Sequence, residues 1–259
     1  RWHKAGLLSH AEFAAIATEY KSGFYHPNLM IRILLFVATL IALGGVTGLF
    51  FLMFSDLSTF ALSMLAAFYG VGSLALMEIV FVRSMHHYKS GVNEALLYHG
   101  LGFLIGGIGG MANWQEDFMI LVCIALFALA AFRYLDLIST IAAIYCTGYL
   151  VFYELYEMDG IVRQLVPFGC LILFVVMFFC FRKLKARHDA APWENCLVLA
   201  EALSLLAIYG ATNYFIVREL SEKMMNLYVG PGEDIPFAVV FYALTVIIPI
   251  LYLYIGIRK

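Results

Sequence analysis

The sequence predicts an all-α polytopic membrane protein of about eight transmembrane helices, opened by a short cytoplasmic helical hairpin at the N-terminus. Three observations carry this expectation. Hydrophobic residues make up 63% of the 259-residue chain and charged residues 13%, with a mean hydropathy of +0.89, whereas a soluble domain carries about 25% charged residues. Apolar runs of bilayer-spanning length succeed one another with short polar breaks between them. Lys and Arg alternate sides from break to break. Backbone groups in hydrocarbon must find partners within their own element, and these runs are too long for barrel strands, so helices are the solution.

The expected organisation is a hairpin over 1–27 and a transmembrane bundle over 28–259. In the hairpin, Ser9-His10-Ala11-Glu12 fits a capping box, in which the Ser9 hydroxyl accepts from the backbone three residues on and Glu12 reaches back. Phe13, Ile16 and Tyr20 then recur on one face, and Gly23 and Pro27 end the helix. Trp2 to Leu8 forms the other arm. So short an element has no core of its own and must dock on the membrane domain, the bilayer surface or a partner.

The spans follow at about 29–54, 59–82, 95–112, 118–132, 137–153, 161–181, 196–217 and 237–257. The fourth and fifth are short and divided only by Arg133-Tyr134-Leu135-Asp136, which suits a tilted or partly re-entrant segment. Pro167 and Pro249 predict local breaks or kinks in the sixth and eighth. Gly230-Pro231-Gly232 reads as a turn, since no Gly-Lys-Ser/Thr follows to make a phosphate loop.

Orientation comes from counting basic residues by side. With the N-terminus cytoplasmic, 13 of the 16 Lys and Arg residues fall inside, leaving only Arg163, Arg218 and Lys223 outside. Such a split over short loops predicts an even number of spans and both termini in the cytoplasm. The outer side carries ten acids against those three bases, which either concentrates cations or reflects the exclusion of bases from that side.

The opening pattern Arg1-Trp2, Gly6-Leu7-Leu8-Ser9, Glu12, Ile16 and Tyr20, followed at once by a glycine-containing first span, resembles the bacterial membrane-protein family catalogued as domain of unknown function 2157. Tyr25-His26-Pro27-Asn28 running into Ile31-Arg32-Ile33-Leu34-Leu35-Phe36 is similar to hypothetical multi-pass proteins of Bacteroidetes-type bacteria. The resemblance implies a bacterial inner membrane and brings no functional residues with it, because the family has no established activity.

Three groups of residues are candidates for function. Glu78, His99 and Glu201 are ionisable groups within or near the ends of spans, each a few residues below the cytoplasmic boundary. A charged group at membrane depth costs roughly 2.5 kcal/mol or more, so such residues need a compensating role. One reading joins them into a polar cluster that relays a proton or accepts a cation; the other satisfies each locally. Gly102, Gly106 and Gly110 are four apart in the third span, reinforced by Gly100, Gly107 and Gly109, and Gly44 and Gly48 share that spacing in the first; these glycines predict close helix packing, with a helix that slides to open a path or a dimer face as the functional alternative. Arg182, Lys183, Lys185 and Arg187 are dense enough to engage anionic lipid headgroups, although such a run also sets topology.

Other motifs point away from chemistry. The five cysteines lie in or beside apolar runs with no C-x-x-C, which reads as buried thiols. His86-His87 beside Glu94 lacks H-x-x-x-H spacing and reads as solvated, so no metal site is expected. A net charge of −2 argues against nucleic acid, and no G-x-S-x-G, S-x-x-K or intramembrane Asp dyad supports a hydrolase. No cofactor is expected. The expected partners are membrane lipids and either another membrane protein or a second copy. The functional expectation is a non-enzymatic membrane subunit or scaffold that docks a partner; the alternative is a small-solute or ion transporter using buried Glu and His.

Overall fold

The computed structural model describes residues 9–19, 27–86, 88–158, 161–223 and 234–257. Every regular element among them is helical. Among the described residues seven segments are long and apolar enough to cross a membrane: Leu29–Met53, Thr59–Ser84, Glu116–Tyr134, Leu137–Glu157, Val166–Lys185, His188–Thr212 and Ala238–Ile257. The chain is an all-α polytopic membrane protein. It divides into two compact units, Arg1–Trp114 and Gln115–Lys259.

In the first unit, α1 (His10–Glu19) begins as the capping pattern predicts. Ser9 and Glu12 exchange bonds, with the Ser9 backbone N–H donating to Glu12 Oε2 at 2.9 Å and the Glu12 N–H donating to Ser9 Oγ at 3.3 Å. The other arm expected for the hairpin, Trp2 to Leu8, lies outside the described residues, as does the turn at Gly230-Pro231-Gly232. Asn28 caps α2 (Leu29–Met53), and Ser58 caps α3 (Thr59–Leu76). The last eight residues of the second span, Met77–Ser84, are wound as a π-helix.

The third expected span is α4 (Val92–Met111), and it is the most buried helix of the first unit, packed on α3 and α2. It is not one of the seven segments above, because its glycines, with Asn93, Glu94 and His99, dilute its apolar residues. A helix covered by its own protein needs little lipid-compatible surface, so the weak hydropathy and the burial of Ala95, Leu96, Leu97 and Leu101 have one cause.

The second unit contains α5 (Glu116–Tyr134), α6 (Leu137–Glu157), α7 (Ile161–Gln164), α8 (Val166–Lys185), a 3₁₀ turn (His188–Trp193), α9 (Glu194–Thr212), α10 (Tyr214–Lys223) and α11 (Ala238–Ile257). The two spans expected to be short have 19 and 21 residues, enough to span a bilayer. The sequence boundary fell short because Glu116, Asp117, Glu154 and Glu157 lie within the helix ends. Leu135 at φ 52° ends α5, and the Asp136 side chain caps α6 by accepting from the Ser139 N–H at 2.7 Å.

Two expected spans are interrupted. Pro167 falls in the first turn of α8, where its missing N–H costs nothing, so it starts a helix after Leu165 instead of kinking one. Asn213 separates α9 from α10: its side chain accepts from the N–H groups of Phe215 and Ile216 at 3.0 and 3.3 Å, beginning a new, polar helix. Pro249 lies inside α11. The core of this unit gathers Ile144, Phe174, Ala200, Ile208 and Ile248 from α6, α8, α9 and α11.

Candidate functional site

The polar residues of the first unit occupy two levels. At the α4 N-terminus, Gly91 takes φ 97°, and a Cβ there would stand 3.0 Å from Phe36 N and nearer still to the Arg32 carbonyl oxygen. Only glycine allows this crossing of α2 over the start of α4. Glu94 then accepts from the Gly91 N–H at 2.7 Å and forms an ion pair with Arg32. Ser90 and Asn93 complete a buried polar knot, the Ser90 N–H donating to Asn93 Oδ1 at 2.8 Å. Sequence reading left Glu94 beside two solvated histidines and did not single out this pair. A Gly-x-x-Glu step into a helix, which puts the acid at a capping position, was the available signal.

Glu78 lies in the π-helix, where residues five apart come into line. Arg83 is five residues on, and its Nε donates to Glu78 Oε1 at 3.1 Å. His99 lies farther along α4. Thr47 Oγ1 is 3.0 Å from His99 Nε2 and 2.8 Å from the Tyr69 hydroxyl, so one hydroxyl links the imidazole to the phenol. The rings of Phe103 and Tyr69 lie 4.8 and 5.5 Å from the imidazole. His99 Nδ1 is buried with no hydrogen-bond partner among the described residues. A cavity of about 380 Å³ adjoins it, lined by His99, Phe51, Tyr98, Phe103, Gly102 and Gly106 among others.

The glycines divide by use. Gly70, Gly100 and Gly107 form the α3–α4 seam: a Cβ on Gly107 would lie 2.6 Å from the Ser63 carbonyl oxygen and 2.7 Å from Ala67 Cα, and one on Gly70 would lie 2.7 Å from the Gly100 carbonyl oxygen. Gly110 also meets Ser63. The structure therefore uses Gly110 of the predicted series in this contact, whereas a Cβ at Gly102, Gly106, Gly44 or Gly48 would meet nothing within 4 Å among the described residues.

In the second unit, Glu201 on α9 forms an ion pair with Lys185 at the end of α8. Glu201 Oε1 has no hydrogen-bond partner among the described residues. Glu78, His99 and Glu201 thus each have a separate local partner, the first two within one unit and the third within the other. Of the basic run, Arg182 lies over the Phe178 ring at 5.8 Å, Lys183 is exposed, and Arg187 donates to both oxygens of Asp189 at 3.1 and 2.8 Å.

At the opposite end of this unit, Tyr214 is buried and stacked on Tyr242 with centroids 3.9 Å apart. Its hydroxyl donates to Asp234 Oδ1 at 2.8 Å and accepts from Arg218 at 3.1 Å. The neighbouring Tyr242 hydroxyl, burial and Asp234 together push the Tyr214 phenol up to about 12.

Among the described residues no group of three or more His, Cys, Asp or Glu side chains converges as a metal site. Comparison of the chain with protein-family models, with curated proteins and with solved structures finds no match.

Proposed function

We propose that this protein is a non-enzymatic subunit of a membrane assembly and that α2 docks a single transmembrane helix of another membrane protein. The supporting observation is α2 itself. None of its 25 residues is buried, yet it carries Gly44, Gly45 and Gly48 with open space where side chains would stand. A purely lipid-facing helix gains nothing from glycine, which costs about 1 kcal/mol per residue in helix propensity. Glycines four apart repay that cost where a second backbone comes close. The resemblance of the opening segment to the domain of unknown function 2157 family supports a bacterial inner-membrane setting, and the distribution of Lys and Arg supports cytoplasmic termini.

Isolation of the full chain from its own membranes in mild detergent, followed by native mass measurement, tests this. A second protein at fixed ratio, lost from the Gly44→Ile/Gly48→Ile variant, is the expected result. Recovery of the chain alone in several mild detergents refutes it.

One observation favours transport as a second reading. His99 presents a buried nitrogen with no hydrogen-bond partner among the described residues, beside the 380 Å³ cavity, an arrangement suited to carrying a proton. This reading needs only His99 and its Thr47 and Tyr69 neighbours, without Glu78 or Glu201. It predicts pH-dependent flux of a small solute in liposomes that His99→Gln abolishes; flux indifferent to that substitution removes it.

A further inference from the structure

We propose that the cavity between α5, α6, α8 and α9 of the second unit holds one tail of a zwitterionic phospholipid whose headgroup carries a primary ammonium, with the phosphate on Arg187 and the ammonium on Asp189. The cavity measures about 540 Å³, within the range of about 300–1,000 Å³ common to ligand sites. Arg187 and Asp189 are the charged residues of its lining among the described residues.

The body of the cavity has the chemistry of hydrocarbon. Ile124, Ile144 and Met177 are among its walls. Its hydroxyls among the described residues are those of Thr140 and Thr147, which donate to the carbonyls of Asp136 and Ala143 at 2.8 and 2.7 Å. A solute that depends on hydrogen-bond donors would give up its water there without replacement. From Ile124 to Phe132 along α5 the wall runs roughly 12 Å at about 1.5 Å per residue, close to the ~15 Å depth of one leaflet of the hydrocarbon core. An extended hydrocarbon chain suits that path.

The polar residues of the lining gather at one end. Arg187, Asp189 and Trp193 all come from the connection between α8 and α9. Trp193 fixes which end this is, since it stacks on Phe132 with centroids 5.0 Å apart and donates its indole N–H to the Phe132 carbonyl at 2.8 Å. Tryptophan at this level is the usual mark of the headgroup boundary. An apolar shaft with polar groups at one end matches an amphiphile with its tail inward.

The charge at that end selects the headgroup. Arg187 Nε and Nη2 donate to the two oxygens of Asp189 at 3.1 and 2.8 Å, so the pair carries no net charge. A phosphate alone gains little there, because Asp189 repels what Arg187 attracts. A headgroup that brings both charges meets an opposite charge at each. The fork uses two of the five guanidinium N–H groups and leaves each carboxylate oxygen a further acceptor position, and the side chains are 62% and 69% exposed, within reach of a headgroup. A primary ammonium donates to the carboxylate, whereas a quaternary one has no N–H to donate.

The test uses the full chain in bilayers of equimolar dioleoyl phosphatidylethanolamine, phosphatidylcholine and phosphatidylglycerol, which differ in headgroup and share their tails. After release into mild detergent, native mass measurement counts retained lipid. The expected result is one lipid per chain, phosphatidylethanolamine favoured about fivefold over each of the others, the factor at the upper end for an exposed ion pair. Ala143→Phe, which fills the cavity, abolishes retention. Asp189→Asn alters only an exposed group, so the fold survives; it keeps the lipid but turns the preference to phosphatidylglycerol, because Arg187 then stands unopposed. Glycerophosphoethanolamine, the same headgroup without tails, displaces nothing. No retained lipid, equal retention of phosphatidylethanolamine and phosphatidylcholine, a phosphatidylglycerol preference in the unaltered chain, an unchanged preference in Asp189→Asn, unchanged retention in Ala143→Phe, or displacement by glycerophosphoethanolamine overturns the proposal.

Discussion

Substituting Ala at Gly107 and, separately, at Gly102 places the same methyl group on two positions of one helix with opposite consequences. At Gly107 the new Cβ would stand 2.6 Å from the Ser63 carbonyl oxygen and 2.7 Å from Ala67 Cα, where ordinary contact begins near 3.4 Å. Both obstacles are backbone, so no rotamer change relieves them, and α3 and α4 must part by about 1 Å. Overpacking of this kind costs about 1–3 kcal/mol, occasionally more. Alanine recovers about 1 kcal/mol in helix propensity, which leaves Gly107→Ala destabilised by roughly 1–2 kcal/mol when the upper part of the cost range applies to a rigid seam. At Gly102 nothing lies within 4 Å, so only propensity acts and the variant gains about 0.4–1 kcal/mol. Reversible unfolding of the full chain in mixed micelles, followed by helicity against denaturing detergent, measures both. A Gly107→Ala chain as stable as Gly102→Ala would refute the assignment of Gly107 to the seam.

Three further outcomes are expected. Arg32→Gln leaves the Glu94 carboxylate without its counter-ion; because Arg32 is 40% exposed, the loss is about 1–3 kcal/mol, below the 3–5 kcal/mol of a fully buried pair, and the same unfolding assay should find Arg83→Gln milder. In a double-mutant cycle, Lys185→Gln and Glu201→Gln should show a coupling of about 0.5–2 kcal/mol, and additivity would mean that the pair does not act as one. Tyr214 ties pH to stability: its phenol is raised from the ordinary 10 to about 12, so between these values the folded chain holds a proton that the unfolded chain releases, and stability falls as pH rises through that window. Tyr214→Phe should flatten that part of the alkaline profile, and an unchanged slope would show that another group carries it.

Hydropathy made most of the architecture legible, because lipid contact demands apolar surface over a fixed length. What it blurred were the places where a helix meets something other than lipid. The break at Asn213 replaces an expected continuous span because its side chain supplies two backbone caps, a local bond that hydropathy does not register. All the glycines of the third span were visible, but which of them face a neighbour was not: the seam uses Gly100 and Gly107, seven apart and so on nearly the same side of the helix after two turns, with Gly110 beside them. Spacing alone does not reveal which of two interleaved glycine sets faces a neighbour. Glu78, His99 and Glu201 were legible as residues needing compensation. Their partners were not, since Arg83 depends on a π-helix and Thr47 and Lys185 come from other helices.

Those partners change what the positive charge of the chain is available for. Arg83 holds Glu78, Arg32 holds Glu94 and Lys185 holds Glu201, so three basic residues that count toward topology also neutralise carboxylates within their own unit. The pairing has an energetic reason: a carboxylate near the hydrocarbon boundary is tolerable only with a counter-ion, and the Lys/Arg-rich ends of the spans supply one. Any mechanism that calls on Glu78 or Glu201 must first break such a pair, whereas His99 needs no such step. The same reasoning governs recognition from outside. Charge already spent on an internal acid offers little to a phosphate, and in the basic run at the end of α8 it is Arg182 and Lys183 that lack an acidic partner among the described residues. Of the four bases in that run, the two that lack acidic partners among the described residues should carry any preference for anionic headgroups, and Lys185→Gln should leave that preference intact while weakening the fold.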